Sequence, residues 1–311
     1  MGTLRFLLQI TLLAGVCAAQ ISYIYDSGGR LTKITYASGA IVYGYDAAGH
    51  LISRTPVTGT GGTIASVTTA FTPSSSGIAQ NTWIQIKGTN LVPATTPSAG
   101  MVWSNSPEFA LGQMPVTLGG ISVTINGKPA YVYFYCSAAT ASACPQDQIN
   151  VLSPPDSTLG SVPVVVYSNS TATAAFNVTM HGTVPSLFNF DGSHIVATHL
   201  NYSLVGPASL YPGASTPAAP GETIIVYGTG FGIPPAANLA SGSAAQSGQY
   251  STLPACTVGA ANAPVGFAGL VGPGLVQLNL TVPSSAPGQD DPIVCTLGGV
   301  STPAGNVVTV Q

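Results

Sequence analysis

Residues 222–232 read ETIIVYGTGFG, and the architecture follows from them. Ile224, Ile225, Val226 and Tyr227 are β-branched or aromatic and favour a strand, and Gly228, Gly230 and Gly232 then end it. A glycine-rich turn after an apolar strand also suggests a dinucleotide-binding loop. That loop needs a helix whose amino end meets the pyrophosphate. Here Ile233-Pro234-Pro235-Ala236-Ala237-Asn238 follows, and two prolines with no amphipathic period exclude such a helix. The stretch is therefore a strand entering a β-turn.

The same pattern occurs earlier in the chain. TWIQIKGTNL, residues 82–91, is again a strand that ends at a glycine turn. Further on, Gln148-Ile149-Asn150-Val151 is matched by Gln277-Leu278-Asn279-Leu280. Proline-bounded strands follow in both halves, VPVVVYSNSTATAAFNVTM and DPIVCTLGGVSTPAGNVVTV. Short strands with turn signals at about ten-residue spacing indicate β-sandwiches.

The composition agrees with this. The chain has 311 residues, enough for about two ordinary domains. Only 5% of its residues are charged, against about 25% in typical soluble proteins. With 37 Gly and 25 Pro, turns are frequent and long helices are disfavoured. All six Lys and Arg lie at or before Lys128. Nucleic-acid binding needs cations to neutralise phosphates, so that class is excluded for the C-terminal half and disfavoured overall.

Residues 1–19 read as a secretory signal peptide: Arg5, an apolar run from Phe6 to Val16, then small residues ending at Ala19. Lipidation of Cys17 is the alternative, and Ala14-Gly15-Val16 fits it poorly. The run is too short for a membrane span, so no transmembrane segment is expected and the chain is read as secreted or cell-surface. Four cysteines remain in the exported chain, Cys136, Cys144, Cys256 and Cys295, and suggest two disulfides. Three pairings are possible. Cys136–Cys144 with Cys256–Cys295 is favoured, because each pair then stays within one domain.

Residues 20–54 carry a shorter repeat. YDSGGRL at 25–31 and YDAAGHL at 45–51 are twenty residues apart and share Tyr, Asp, Gly and Leu. The segment resembles the YD repeat of the Rhs family, with His50 where that family usually has Arg or Asn. Family members stack many copies into a shell around a cargo; two copies cannot enclose anything, so a hairpin cap is expected. Residues 55–63, TPVTGTGGT, read as a linker. Residues 183–311 resemble a C-terminal Ig-like domain abundant in secreted acidobacterial proteins, on Pro-Gly-Glu, the Tyr-Gly-Thr-Gly-Phe-Gly run, Ala-Gly-Leu, Pro-Gly, Gln-x-Asn and Val-Pro. Residues 64–182 resemble a diverged relative of the same IPT/TIG-like fold. The expected architecture is all-β: a YD-repeat hairpin unit followed by two tandem Ig-like sandwiches. The resemblance implies an accessory surface module with no assigned reaction.

Candidate chemistry is sparse. His194 and His199, five apart, belong on opposite strand faces and display no further metal ligands. Asp290-Asp291 in GQDDP reads as a solvated turn rather than a Ca²⁺ site. No Gly-x-Ser-x-Gly elbow or paired carboxylates stand out. Neither a metal nor a cofactor is expected, and the chain is not read as an enzyme. The binding candidate is Tyr131-Val132-Tyr133-Phe134-Tyr135, where alternation puts Tyr131, Tyr133 and Tyr135 on one face. Such a strip suits stacking on sugar rings; packing against the core or a neighbouring domain competes with that reading. Trp83 and Trp103 fit the same two readings, with core packing favoured for Trp83. Function is accordingly expected to be adhesion or polysaccharide binding, with polysaccharide or other surface proteins as partners. A structural spacer is the alternative, and a glycosidase ranks below both. With no Lys or Arg after Lys128, trypsin should leave one large C-terminal fragment even from the denatured chain, read by mass spectrometry.

Overall fold

The computed structural model describes residues 21–311 apart from 27, 37–38, 47, 59–60, 71–73, 76, 170, 241 and 285–288. The signal-peptide segment, residues 1–19, lies outside the described residues. The chain is all-β, with sheets packed as sandwiches.

The YD segment is an antiparallel meander of strands Ser22–Tyr25, Leu31–Tyr36, Gly39–Tyr45 and Leu51–Thr58. Its motif residues build the turns. Asp26 Oδ1 accepts hydrogen bonds from the Gly28 and Arg30 amides, and Arg30 Nε returns to Asp26 Oδ2 at 2.7 Å. In the second unit His50 takes the role of Arg30: its amide and its Nδ1 both meet the Asp46 carboxylate. Gly29 and Gly49 sit at φ +75° and +89°, where a side chain would be strained. The units interlock, with the Arg30 guanidinium over the Tyr45 ring and the Tyr45 hydroxyl donating to Leu31 O at 2.8 Å.

This meander does not stand apart. Residues 55–58, read from composition as linker, complete the strand Leu51–Thr58 and pair with Gly39–Val42. Thr58 then pairs in parallel with Thr171, which joins the meander to the first sandwich's sheet. Pro56 is accommodated because this strand has few partners on its second side. Ala40 and Val42 cover Val165, Tyr167 and Ala172 on the outside of that sheet. Lys33 is buried there with its ammonium over the Tyr167 ring, and burial pushes its pKa down to about 7.

In the first sandwich, one sheet is Thr63–Thr69, Trp83–Thr89, Asp147–Leu152, Tyr131–Cys136 and Met101–Val102, in that order. It packs on a sheet that includes Ile121–Ile125, Gly160–Ser168 and Phe176–His181. Ile84, Ile86, Ile149 and Val151 from one side meet Ile121, Val123, Val164 and Val166 from the other. The second sandwich repeats the order: Ala197–Thr198, Thr223–Thr229, Leu275–Thr281, Val265–Gly272 and Gly248–Gln249. Its second sheet holds Ala255–Val258 and Gln289–Leu297, and the two enclose Val226, Phe231, Leu278, Val258 and Ile293.

Cys136 is bonded to Cys144, and Cys256 to Cys295. The second bond joins residues that are directly opposite each other on adjacent strands. Replacing Cys256 and Cys295 by Ala should cost about 2–4 kcal/mol in guanidinium unfolding, whereas replacing Cys136 and Cys144, which close a shorter loop, should cost less.

Candidate functional site

Two strands set the outer face of the first sandwich's front sheet. Along Trp83–Thr89 and Asp147–Leu152, the buried isoleucines and Val151 alternate with partly exposed Trp83, Gln85, Lys87, Gln148 and Asn150. Gln85 lies opposite Asn150, and Lys87 opposite Gln148. Gln148 Nε2 donates to Asn150 Oδ1 at 3.0 Å, which fixes one amide against the other. The surface is a polar amide ladder bordered by aromatic rings.

The tyrosines of the neighbouring strand do not form one strip. A bulge between Val132 and Phe134 leaves Tyr133 without an opposing residue and shifts the alternation after it. Val132 and Tyr135 therefore share the core side, and Tyr135 is 3% exposed among core residues, with burial raising its phenol pKa. Tyr131 is half-buried and its hydroxyl accepts from the Gly242 amide of the second sandwich at 3.0 Å. Tyr133 alone is exposed, at 37%. Its ring meets Trp83 and Trp103 edge-on, at 5.2 and 5.0 Å between centroids. Five consecutive apolar or aromatic residues carry no polar residue to mark where alternation breaks, so the sequence gives no sign of the bulge.

Trp83 also departs from the expected core position. It projects from the outer face to the second sandwich, where its indole Nε1 donates to Pro273 O at 2.8 Å. Trp103 is buried and stacks on Phe109 at 4.9 Å. Between the sandwiches lies a cleft of about 280 Å³ lined by Trp83, Tyr133, Asn150, Phe188, Pro273 and Leu275. Sequence reasoning missed Asn150 and Phe188 as site residues. The Gln-x-Asn repeat pointed to Asn150; nothing in the sequence singled out Phe188. A larger groove of about 630 Å³ passes Ser75, His181 and Val300, but it is open and its lining brings no aromatic ring together with an amide pair.

His194 and His199 lie elsewhere and act as clamps. His194 Nδ1 meets Asp191 Oδ2 at 2.6 Å, and its Nε2 lies 3.3 Å from Asp290 Oδ2. Asp290 and Asp291 sit on the strand Gln289–Leu297 rather than in a turn, and Asp290 accepts from Thr309 Oγ1. His199 pairs with Glu222 at 2.5 Å. Among the described residues, no three His, Cys, Asp or Glu side chains gather to hold a metal ion. No described helix is long and apolar enough to cross a membrane.

Residues 25–63 match the family model RHS Repeat. No curated protein matches the chain. Among solved structures, SGBP-B of the Bacteroides ovatus mixed-linkage glucan utilization locus, in complex with a mixed-linkage heptasaccharide, is 8% identical over 94% of this chain and 63% of that one, with a TM-score of 0.32. SGBP-B from a complex xyloglucan utilization locus in Bacteroides uniformis is 16% identical over 78% of this chain and 48% of that one, at 0.22. Surface layer protein SbsC, domains 4–9, is 10% identical over 94% and 46%, at 0.23. The chain thus spans less than two thirds of each of these structures, and at these TM-scores the likeness bears on neither the site nor its ligand.

The His194 clamp has a pH signature. Burial pulls its pKa down, but the bonds and charges of Asp191 and then Asp290 outweigh this and leave it raised. A raised folded-state value stabilises the fold fully below the unfolded pKa of about 6.5, and that stability is lost as pH rises through the raised value. Thermal unfolding of wild type and His194→Asn should therefore differ most below about pH 6.5 and converge as the pH rises through the raised value.

Proposed function

We propose that the chain is a non-catalytic, extracytoplasmic module that binds polysaccharide in the cleft between its sandwiches. The observation that carries this reading is the meeting of the Tyr133, Trp83 and Phe188 rings with the Asn150 amide, itself held by Gln148, in one cleft. A pyranose ring has an apolar C–H face and a rim of hydroxyls. Aromatic rings suit the first, and a side-chain amide, which both donates and accepts, suits the second. A mostly apolar cleft with a few placed polar groups is the usual form of a small-ligand site.

The carboxylates serve other purposes. Asp147 accepts from the Leu91 and Ala138 amides, Asp156 pairs with Lys128, Asp191 and Asp290 are both taken up by the His194 ring between them, and Glu222 pairs with His199. This supports binding over glycoside hydrolysis, which takes two convergent carboxyl groups. Disulfides support an oxidising location. In this reading residues 20–54, with the strand end at 55–58, are the YD unit, and residues 64–182 and 183–311 are two tandem Ig-like domains behind a signal peptide.

A second reading, a structural spacer, rests on the same seam: Trp83, Tyr131 and Met114 all bond across it. Glycan-array and insoluble-polysaccharide binding of the mature chain separates the two. Tyr133→Ala and Asn150→Ala should each weaken binding about tenfold, equivalent to about 1.4 kcal/mol, without moving the unfolding midpoint. Tyr135 is left intact because its removal would open the core. Absence of polysaccharide binding by the folded wild type would overturn the cleft reading in favour of the spacer.

A further inference from the structure

The second sandwich carries the same outer-face device as the first. Gln277 and Asn279 occupy the positions of Gln148 and Asn150, on the strand that is central in each sheet. Gln277 Nε2 donates to Asn279 Oδ1 at 2.8 Å, as Gln148 does to Asn150. The next strand bulges in both copies, between Val132 and Phe134 and between Val265 and Phe267. Each bulge sets a phenylalanine opposite the asparagine: Phe134 opposite Asn150, and Phe267 opposite Asn279. Neither pair belongs to a core; all four amide side chains are partly exposed.

The two ladders meet at the cleft. Leu275 lines it, and Leu275, Gln277 and Asn279 share one face of their strand, alternating with buried Val276, Leu278 and Leu280. Asn150 lines the cleft from the other side, and Gln148 lies beyond it. Residues two apart on a strand are about 6.7 Å apart. Amide groups are thus spaced outward from the cleft along both sheets. Tyr227 lies opposite Gln277 and extends the second surface with an aromatic ring.

We infer that the cleft is the middle of a longer track, and that Gln277 and Asn279 form a second subsite, so that one linear neutral polysaccharide lies across both sandwiches. This rests on the cleft reading above and adds the second sandwich to it. Neutrality follows from the charge distribution: the second sandwich has no Lys or Arg, and Lys87 is the one cation beside the first ladder. A polyanion would need more.

The test is calorimetric titration of the mature chain with dimers, tetramers and octamers of β-glucan, xylan and mannan. The octamer of the recognised polymer should bind more tightly than its dimer. Gln277→Ala and Asn279→Ala should each weaken octamer binding about tenfold and leave dimer binding and the unfolding midpoint unchanged. Tyr133→Ala should weaken both lengths. Octamer affinity that is unchanged in both second-sandwich variants, with the wild type binding normally, overturns the second subsite and leaves the cleft standing. No binding of any length by the wild type overturns the cleft and the track together.

Discussion

The geometry of this molecule depends on the seam between its sandwiches, where one hydrogen bond borders the cleft and those of Tyr131 and Met114 with Gly242 reinforce it. The Trp83 indole N–H belongs to the first sandwich and the Pro273 carbonyl to the second, and they meet at 2.8 Å. Around that bond the backbones come close. Gly274, at φ +58°, lies so near that an added Cβ would overlap Leu152 Cδ1 and approach Trp83 Nε1 to 3.2 Å. Gln246 Oε1 accepts from the Gly274 amide and braces the turn from behind. The cleft follows from these constraints: two outer sheet faces are held at an angle with Tyr133 and Phe188 between them.

The two sandwiches are variations on one plan, and their differences show how the plan is used. Where the first has the bulged Tyr133, the second has Gly266. The ring at that position lines the seam in one copy and has no counterpart in the other. Where the first has Trp83, the second has Thr223. The aromatic residues are thus concentrated on the side of the repeat that faces its neighbour, and the amides are kept in both. The YD meander caps the outside of the other sheet, over Val165 and Tyr167, so the first sandwich is covered on one face and available on the other.

Much of the strand pattern was legible because it depends on local chemistry. Gln148-Ile149-Asn150-Val151 and Gln277-Leu278-Asn279-Leu280 alternate polar and apolar residues, and both sit centrally in their sheets with the polar residues outward. The Tyr-Asp-x-x-Gly turns were legible for the same reason: Asp and Gly each have one geometric task there. The site was less so. A bulge depends on how a strand pairs, and five aromatic and apolar residues in a row do not encode it. Trp83 reads as core, yet strand alternation turns it outward, and only the second sandwich decides what it touches. Residues 55–58 read as linker because Thr, Pro and Val there are defined by their partner strand rather than by composition.

The disulfide between Cys256 and Cys295 also determines how the chain responds to being pulled. It spans a sequence separation of 39. At a fully extended length of about 3.4 Å per residue, it keeps roughly 130 Å of contour from being drawn out under tension. The amino-terminal meander has no such bond among its described residues, and its strands would peel one after another from the edge at Ser22–Tyr25. Under tension a chain built this way would yield at its cap before the segment between Cys256 and Cys295 could be drawn out. Gln277 and Asn279 lie inside that closed loop, so their strand could not be drawn out past the bond.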